Sequence, residues 1–417
     1  MIVTRTTAST DVPGAVPVAA RSLAPDLARG AMLLFIALAN APGYLYGHPM
    51  GVRGYRIPQT LPERLVIALQ MTLVDGRAYP MFALLFGYGM VQMLRRHTAS
   101  GVDAAAVRRL IRRRGRWLVL IGLGHAALLF SGDILGSYGL LAVLLAGVLT
   151  RVGDRTLLAA AALWLVPVAV LGALFDPAVP DHGTAATTAA PLVAAWERVG
   201  EWGHGLVLNS LVNLVPPLLV GVWAARRRLL DDPARHRRLL VRAGVVGCGS
   251  AVAGGIPLAL MGAFWWPAPS ATAVDLAAVA HTVGGYCGGV GYAALAGLVA
   301  IRVDRRRGRV VTALAACGQR SMTSYLLQSV VFVAVLAEYG GGLGDALSVA
   351  QTALLAVGTW AATVVLADRM RSLGHRGPAE MLLRRLTYGR RDAAPHSDHP
   401  RSPAGVTGPD DAEGARP

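Results

Sequence analysis

The stretch Leu118–Leu149, LVLIGLGHAALLFSGDILGSYGLLAVLLAGVL, decides how the rest of the chain is read. Its length exceeds the roughly 20 apolar residues that one membrane helix needs. SGDILGSYG, with Gly132 and Gly136, supplies a tight turn in its middle, so it reads as two helices joined as a hairpin. Inside this apolar run stand His125 and Asp133. Ionisable side chains at membrane depth are costly and face a bundle interior or a wet cavity. Eight helical steps of 100° bring Asp133 back to within about 80° of His125, so the two share one broad face. The bland reading gives each a structural role: a hydrogen bond to a neighbouring helix for His125, and a helix cap for Asp133.

Working outward, the whole chain shows the same character. Of its 417 residues 54% are hydrophobic and only 15% charged, the balance of a polytopic membrane protein and not of a soluble globule. We therefore expect an all-α fold, a polytopic transmembrane helix bundle of about ten spans. They fall near 27–45, 78–94, 117–133, 135–150, 156–175, 206–224, 240–264, 276–301, 320–338 and 346–367. LPERLVIALQMTLV (61–74) reads as a shorter amphipathic helix lying on the surface. The segment 310–317 is too short to span and reads as a lead-in helix broken at Gly318. Residues 378–389 read as an interfacial helix starting at Pro378. The expected organisation is a disordered N-terminus (1–21), a membrane domain (22–390) and a disordered tail (391–417).

The net charge of +16 does not point to nucleic acid, because the arginines sit in short blocks between apolar spans. Segments 95–116, 151–155, 225–242, 302–309 and 368–391 hold 29 arginines, whereas the alternate segments 43–77, 131–137, 176–205, 265–275 and 338–345 hold 5. The positive-inside rule makes the first set cytoplasmic and puts both termini there, in the cell membrane. Membrane lipids are thus the expected surroundings. Cys248, Cys287 and Cys317 match no metal-ligand spacing, and no metal is expected.

Under this topology Asn40, His48, Asp133 and His281 converge on the external leaflet, with His125 below them. A second polar group lies on the cytoplasmic side, where Asp26 and Arg29 start the first span and GQRSMTSYLLQS (318–329) opens the ninth with Arg320 and, two turns in, Gln328. Serine and threonine there are read as packing or interhelical hydrogen bonds.

Five pieces, in order, carry a resemblance: DLARGAMLLFIALAN (26–40), GRAYPMFALLFGYGM (76–90), GLGHAALLFSGDILGSYGL (122–140), GQRSMTSYLLQS (318–329) and GHRGPAEMLLRRLTYG (374–389). Together they resemble the YeiB-like membrane proteins, whose shared region is known as domain of unknown function 418. The resemblance runs from about residue 22 to 390. It implies a wider kinship with membrane acyltransferases, including the heparan-α-glucosaminide N-acetyltransferase type, which deliver an acyl group from cytoplasmic acyl-CoA to a sugar or other acceptor across the membrane. One group of these enzymes carries a catalytic histidine eleven residues after an arginine of the first span. Here that spacing runs from Arg29 to Asn40, so that histidine is absent. The N-acetyltransferase type has asparagine at this spacing and its histidine further on, a place that His48 fills at shorter distance.

The resemblance thus implies acyl-CoA as a co-substrate, with no tightly bound cofactor and a sugar, lipid or small-molecule acceptor. Acyl transfer needs a base for the acceptor and a donor for the oxyanion. His48 or His125 is the candidate base, Asp133 its orienting partner, and Asn40 the N–H donor. Arg29 and Arg320, with the arginines of 108–116 and with Gln328 nearby, are the candidate donor-binding residues. The alternative is a transporter or lipid-handling protein in which His125, Asp133 and Gln328 line a path. A scaffold without turnover is a third reading.

Overall fold

The structure is a computed structural model, and it describes residues 22–175, 188–303 and 307–389. The expected disordered ends, 1–21 and 391–417, lie outside the described residues. Among the described residues the regular structure is all helical, with no strand beyond one isolated bridge between Met50 and Arg56. The helices are α1 (Leu23–Asn40), α2 (Leu61–Leu73), α3 (Ala78–Ala99), α4 (Ala104–Leu128), α5 (Ile134–Leu145), the single turn α6 (Val148–Arg151), α7 (Asp154–Phe175), α8 (Pro191–Leu208) and α9 (Val215–Arg226). They continue as α10 (Arg237–Gly262), α11 (Ala271–Val303), α12 (Arg309–Gln319), α13 (Ser321–Leu336), α14 (Val349–Ser372) and α15 (Pro378–Tyr388).

Among the described residues five helices are long and apolar enough to cross a bilayer: Leu23–Tyr44, Asp154–Ala173, Arg237–Gly262, Ala271–Val303 and Val349–Ser372. A sixth is the pair Pro191–Asn213 and Val215–Arg226, bent by 49° at its joint. The joint follows a π turn at Asn209–Asn213 and precedes Pro216 and Pro217, which have no N–H to continue the ladder. The expected ten spans are therefore matched by five or six on length and composition. The difference lies in four elements. α5 and α13 are apolar but short, α3 carries Arg95 and Arg96 in its last turn and a half, and α4 carries arginines through its first half, over 108–116.

The shorter elements follow the sequence closely. α2 opens with a capping box between Thr60 and Glu63, buries Ile67 and Met71 and exposes Leu61, Leu65 and Leu69. Its two apolar faces explain why it packs on α10 while remaining at the periphery. The lead-in helix α12 ends one residue beyond the expected break, and the chain kinks at Arg320 into α13. α1 and α12 touch because Gly30 and Gly318 leave no Cβ between the backbones.

The core is one large cluster shared by α1, α3, α5, α9 and α11, with Leu33, Met81, Leu85, Tyr88, Leu141 and Leu218 among its buried members. Many large apolar side chains stay exposed on the outer helices, such as Leu163 and Val166 on α7 and Val245 and Val246 on α10. A soluble surface would hide most of these, whereas a lipid-facing one leaves them in place.

Candidate functional site

The α4–α5 hairpin sets the geometry of the site. Gly115 and Gly139 bring the two backbones together, and Gly122 leaves room for the Asp133 carboxylate and for Gly136. Asp133 precedes α5 in extended backbone, and its Oδ2 accepts the Gly136 N–H at 2.7 Å. It is therefore an N-cap, as the bland reading expects. Its other oxygen does something else: Oδ1 lies 2.9 Å from His125 Nδ1. His125 Nε2 lies 2.9 Å from Ser329 Oγ on α13.

All three side chains are buried. With the carboxylate ionised, Nδ1 carries the proton and donates it to Asp133, so Nε2 is the acceptor for the Ser329 hydroxyl. Acid, imidazole and hydroxyl stand in the order that activates a nucleophile.

Tyr325, one turn before Ser329, packs its ring 4.9 Å from the His125 ring. On another side lies an aromatic group in which Tyr44 stacks on Phe130 at 5.4 Å and meets Phe332 at 5.9 Å. Arg198 of α8 ties down the end of α4: its guanidinium donates to the Ala127 carbonyl at 2.8 and 3.1 Å and to the Tyr339 hydroxyl at 2.7 Å. A cation at a helix C-terminus satisfies carbonyls that the helix itself cannot.

A cavity of about 780 Å³ passes beside this group; Tyr325 and Ile134 line it, whereas His125, Asp133 and Ser329 do not. Its depth is apolar, lined by Leu33 and Ile36 of α1, Phe82, Leu85 and Phe86 of α3, and Ile134, Leu135 and Tyr138 of α5. Tyr325 lines it too and so joins the cavity to His125. Toward the arginine-rich end of the helices the lining changes to Arg29, Arg96, Arg114, Arg320, Arg376 and Arg384, with Glu380 the sole acid among the lining residues described. Tyr388 stands at this end, where burial raises its pKa and the nearby Arg114, Arg384 and Arg96 guanidiniums oppose the rise. A cavity positive at one end and apolar at the other suits an anionic amphiphile.

The sequence-predicted residues divide into three groups. His125 and Asp133 meet as expected. Arg29 and Arg320 line the same cavity; Arg29 also reaches Asp26 and the Leu85 carbonyl, each at 3.3 Å, whereas Arg320 donates to the carbonyls of Ala316 and His375. Gln328 is buried, donating to the Leu33 carbonyl at 3.4 Å, with its Oε1 unpaired.

The expected convergence of the external polar residues takes another form. His48 is half-buried and bonds to the Asp345 carbonyl at 2.7 Å. Asn40 closes α1 half-buried, with no hydrogen bond to the His125 pair. His281 belongs to a second buried centre, where its Nε2 meets Arg77 at 2.6 Å and the Met71 carbonyl at 3.1 Å. The fully buried Arg77 also donates to the carbonyls of Asp75 and Ala251, and Tyr55 donates to the Asp75 carboxylate at 2.8 Å.

Tyr325 and Ser329 belong to the polar group read at the start of the ninth span, where serine was expected to make an interhelical hydrogen bond, as Ser329 does; sequence reasoning gave neither of them, nor Arg198, a place beside His125. Tyr325 and Ser329 are four apart on one helix face, a spacing that was open to notice. Arg198 stood out only as the single arginine of the segment 176–205.

Among the described residues no group of histidines, cysteines and carboxylates is placed to hold a metal ion. In comparison with known proteins, the chain is 27% identical over 353 residues to a Bacillus subtilis (strain 168) protein named "Uncharacterized protein YxaH", covering 76% of this chain and 80% of the relative. The family model described as "Protein of unknown function (DUF418)" matches residues 224–390, from the end of α9 to just past α15, so over that part the chain is similar to the DUF418 family.

Proposed function

We propose that this protein transfers an acyl group from an acyl-CoA donor, bound in the cavity, to a hydroxyl- or amine-bearing acceptor in or across the membrane. The observation that carries the reading is the cavity itself, which runs from six arginines to a floor at Ile134 and Tyr325, beside a histidine held by a carboxylate. Guanidinium groups are suited to the phosphates of a nucleotide donor, and the apolar depth to its acyl chain. At the floor His125, kept in the Nδ1–H tautomer by Asp133, has its Nε2 ready to take a proton.

The reading includes the ten-span topology in the cell membrane, reached when α3, α4, α5 and α13 cross alongside the six apolar candidates. The short or arginine-ended helices then cross with their charged ends at the cytoplasmic interface, where long side chains snorkel. Both termini and the cavity mouth lie on that side.

The decisive experiment measures labelled acyl-CoA consumption by the purified protein in lipid vesicles. His125→Asn is expected to lower turnover by about 10²–10⁴, the usual size of a general-base contribution, while the protein remains folded. Arg29→Ala is expected to raise the donor KM by about tenfold or more, since a hydrogen bond to a charged group contributes about 1.5–3 kcal/mol. Full activity in both variants would remove the reading. The same cavity also suits a phosphate-bearing lipid, which is the lipid-handling alternative. Lipid exchange without acyl-CoA consumption in the same vesicles would favour it.

A further inference from the structure

We infer that Ser329 is a covalent acyl carrier: the donor's acyl group passes first to Ser329 Oγ and only then to the acceptor. The inference rests on the acyl-transfer reading and adds to it a two-step course through a serine ester. Its basis is the chain of contacts Asp133 Oδ1 to His125 Nδ1 at 2.9 Å and His125 Nε2 to Ser329 Oγ at 2.9 Å. A base that served only the acceptor would present its free nitrogen to the cavity. Here that nitrogen is occupied by a protein hydroxyl, and the three groups come from three elements, the end of α4, the cap of α5 and the middle of α13. The Asp133 carboxylate is pinned independently by the Gly136 N–H, so the imidazole orientation does not depend on a ligand.

The position fits the task. Ser329 lies one turn beyond Tyr325, about 6 Å along the axis of α13, and Tyr325 lines the cavity floor. For a donor carbonyl to reach Oγ, the Tyr325 ring must turn aside. α5 begins beside this floor, with Ile134 and Leu135 lining the cavity.

The steps balance. Ser329 Oγ attacks the thioester carbonyl as its proton passes to His125 Nε2. The C–S bond breaks, and the CoA thiolate leaves with that proton, so a serine ester and free CoA result. The acceptor hydroxyl or amine then attacks the ester carbonyl, giving its own proton to Nε2. The ester C–O bond breaks, and Ser329 Oγ recovers the proton from the imidazolium. Asp133 remains ionised throughout, stabilising the imidazolium.

The test uses the full-length protein in vesicles, with two probes: an alkyl fluorophosphonate, which reports an activated serine whatever the natural donor, and [¹⁴C]acetyl- and [¹⁴C]palmitoyl-CoA. The expected result is fluorophosphonate on the peptide containing Ser329, absent in Ser329→Ala and slowed at least a hundredfold in His125→Asn. A radioactive adduct released by alkaline hydroxylamine is expected at the same residue. Ser329→Cys conserves volume and guards against a folding artefact. Its adduct should be a thioester, released by hydroxylamine at neutral pH. Acyl-CoA turnover that survives in Ser329→Ala, with no labelled serine in the wild type, would overturn the carrier and leave acyl transfer standing. Fluorophosphonate labelling of Ser329 without acyl-CoA consumption would uphold the activated serine and overturn the acyl-CoA donor. A folded wild type that gives neither overturns both.

Discussion

Asp133 holds two positions at once, and substitution separates them. One oxygen caps α5 and the other holds His125. Asparagine caps nearly as well as aspartate, so Asp133→Asn should leave the melting temperature within a degree or two. Asparagine has only one acceptor oxygen, however. If that oxygen keeps the Gly136 N–H, the amide NH₂ faces His125 Nδ1 and forces the Nε2–H tautomer, which cannot accept from Ser329. Turnover should then fall by about 10³-fold or more, the scale seen when a tautomer-setting carboxylate is lost. Retained turnover in Asp133→Asn would reduce the residue to its capping role. His281 is the contrasting case. Its removal takes one buried partner from Arg77, which keeps the Asp75 and Ala251 carbonyls, and so His281→Ala should cost about 1–3 kcal/mol of stability. Donor KM should not move, because neither His281 nor Arg77 lines the cavity. Thermal unfolding in detergent together with donor titration checks both halves.

One carboxylate of α15 reaches into α13. Glu380 accepts the N–H groups of Met322 and Thr323 at 2.8 and 3.2 Å and the Thr323 hydroxyl at 2.5 Å. It caps the start of α13 from another helix, satisfying donors that α13 cannot satisfy itself. Tyr388 adds a stack on His97 of α3, centroids 6.3 Å apart. The helix shows Leu383 to the bundle and leaves Met381 and Leu382 exposed, which suits the interfacial position expected for it. Glu380→Ala should therefore cost about 1–2 kcal/mol, as loss of a helix cap does, and should loosen the arginine-lined mouth, raising donor KM. Truncation before residue 374 should lower membrane accumulation sharply, whereas truncation after 390 should not. Quantitative immunoblots of membrane fractions decide this, and equal accumulation of the two would count against α15 as part of the fold.

The expectation for the whole molecule is a bundle with its arginine-rich end in the cytoplasm. Ser100 and Glu338 are exposed and lie in opposite loop sets. Single cysteines at these places, in a background without Cys248, Cys287 and Cys317, should respond differently to an impermeant maleimide on intact cells. Glu338→Cys should react, and Ser100→Cys should react only after permeabilisation. The reverse pattern would invert the bundle and place the cavity mouth outside, away from cytoplasmic donors.

Long apolar helices are determined locally, and they were legible without coordinates. Burial in lipid demands roughly 20 apolar residues and internal hydrogen bonds, and α1, α7, α10, α11 and α14 meet that demand within their own sequence. The hairpin of α4 and α5 was legible for the same reason, and with it the pairing of His125 and Asp133, because the two residues are only eight apart. Short or charged-ended helices such as α5 and α4 carry a weaker local imprint, since their burial depends on neighbours. The rest was decided in three dimensions. Ser329 reaches His125 across 204 positions of sequence, and Arg77 reaches His281 across the same separation. Such contacts follow from how glycine faces let helices cross, as at Gly30 with Gly318, and periodicity along one helix does not encode which helix will lie opposite. For that reason the histidines expected around one external polar group, His48 and His281 with His125 below them, ended in three separate hydrogen-bond groups.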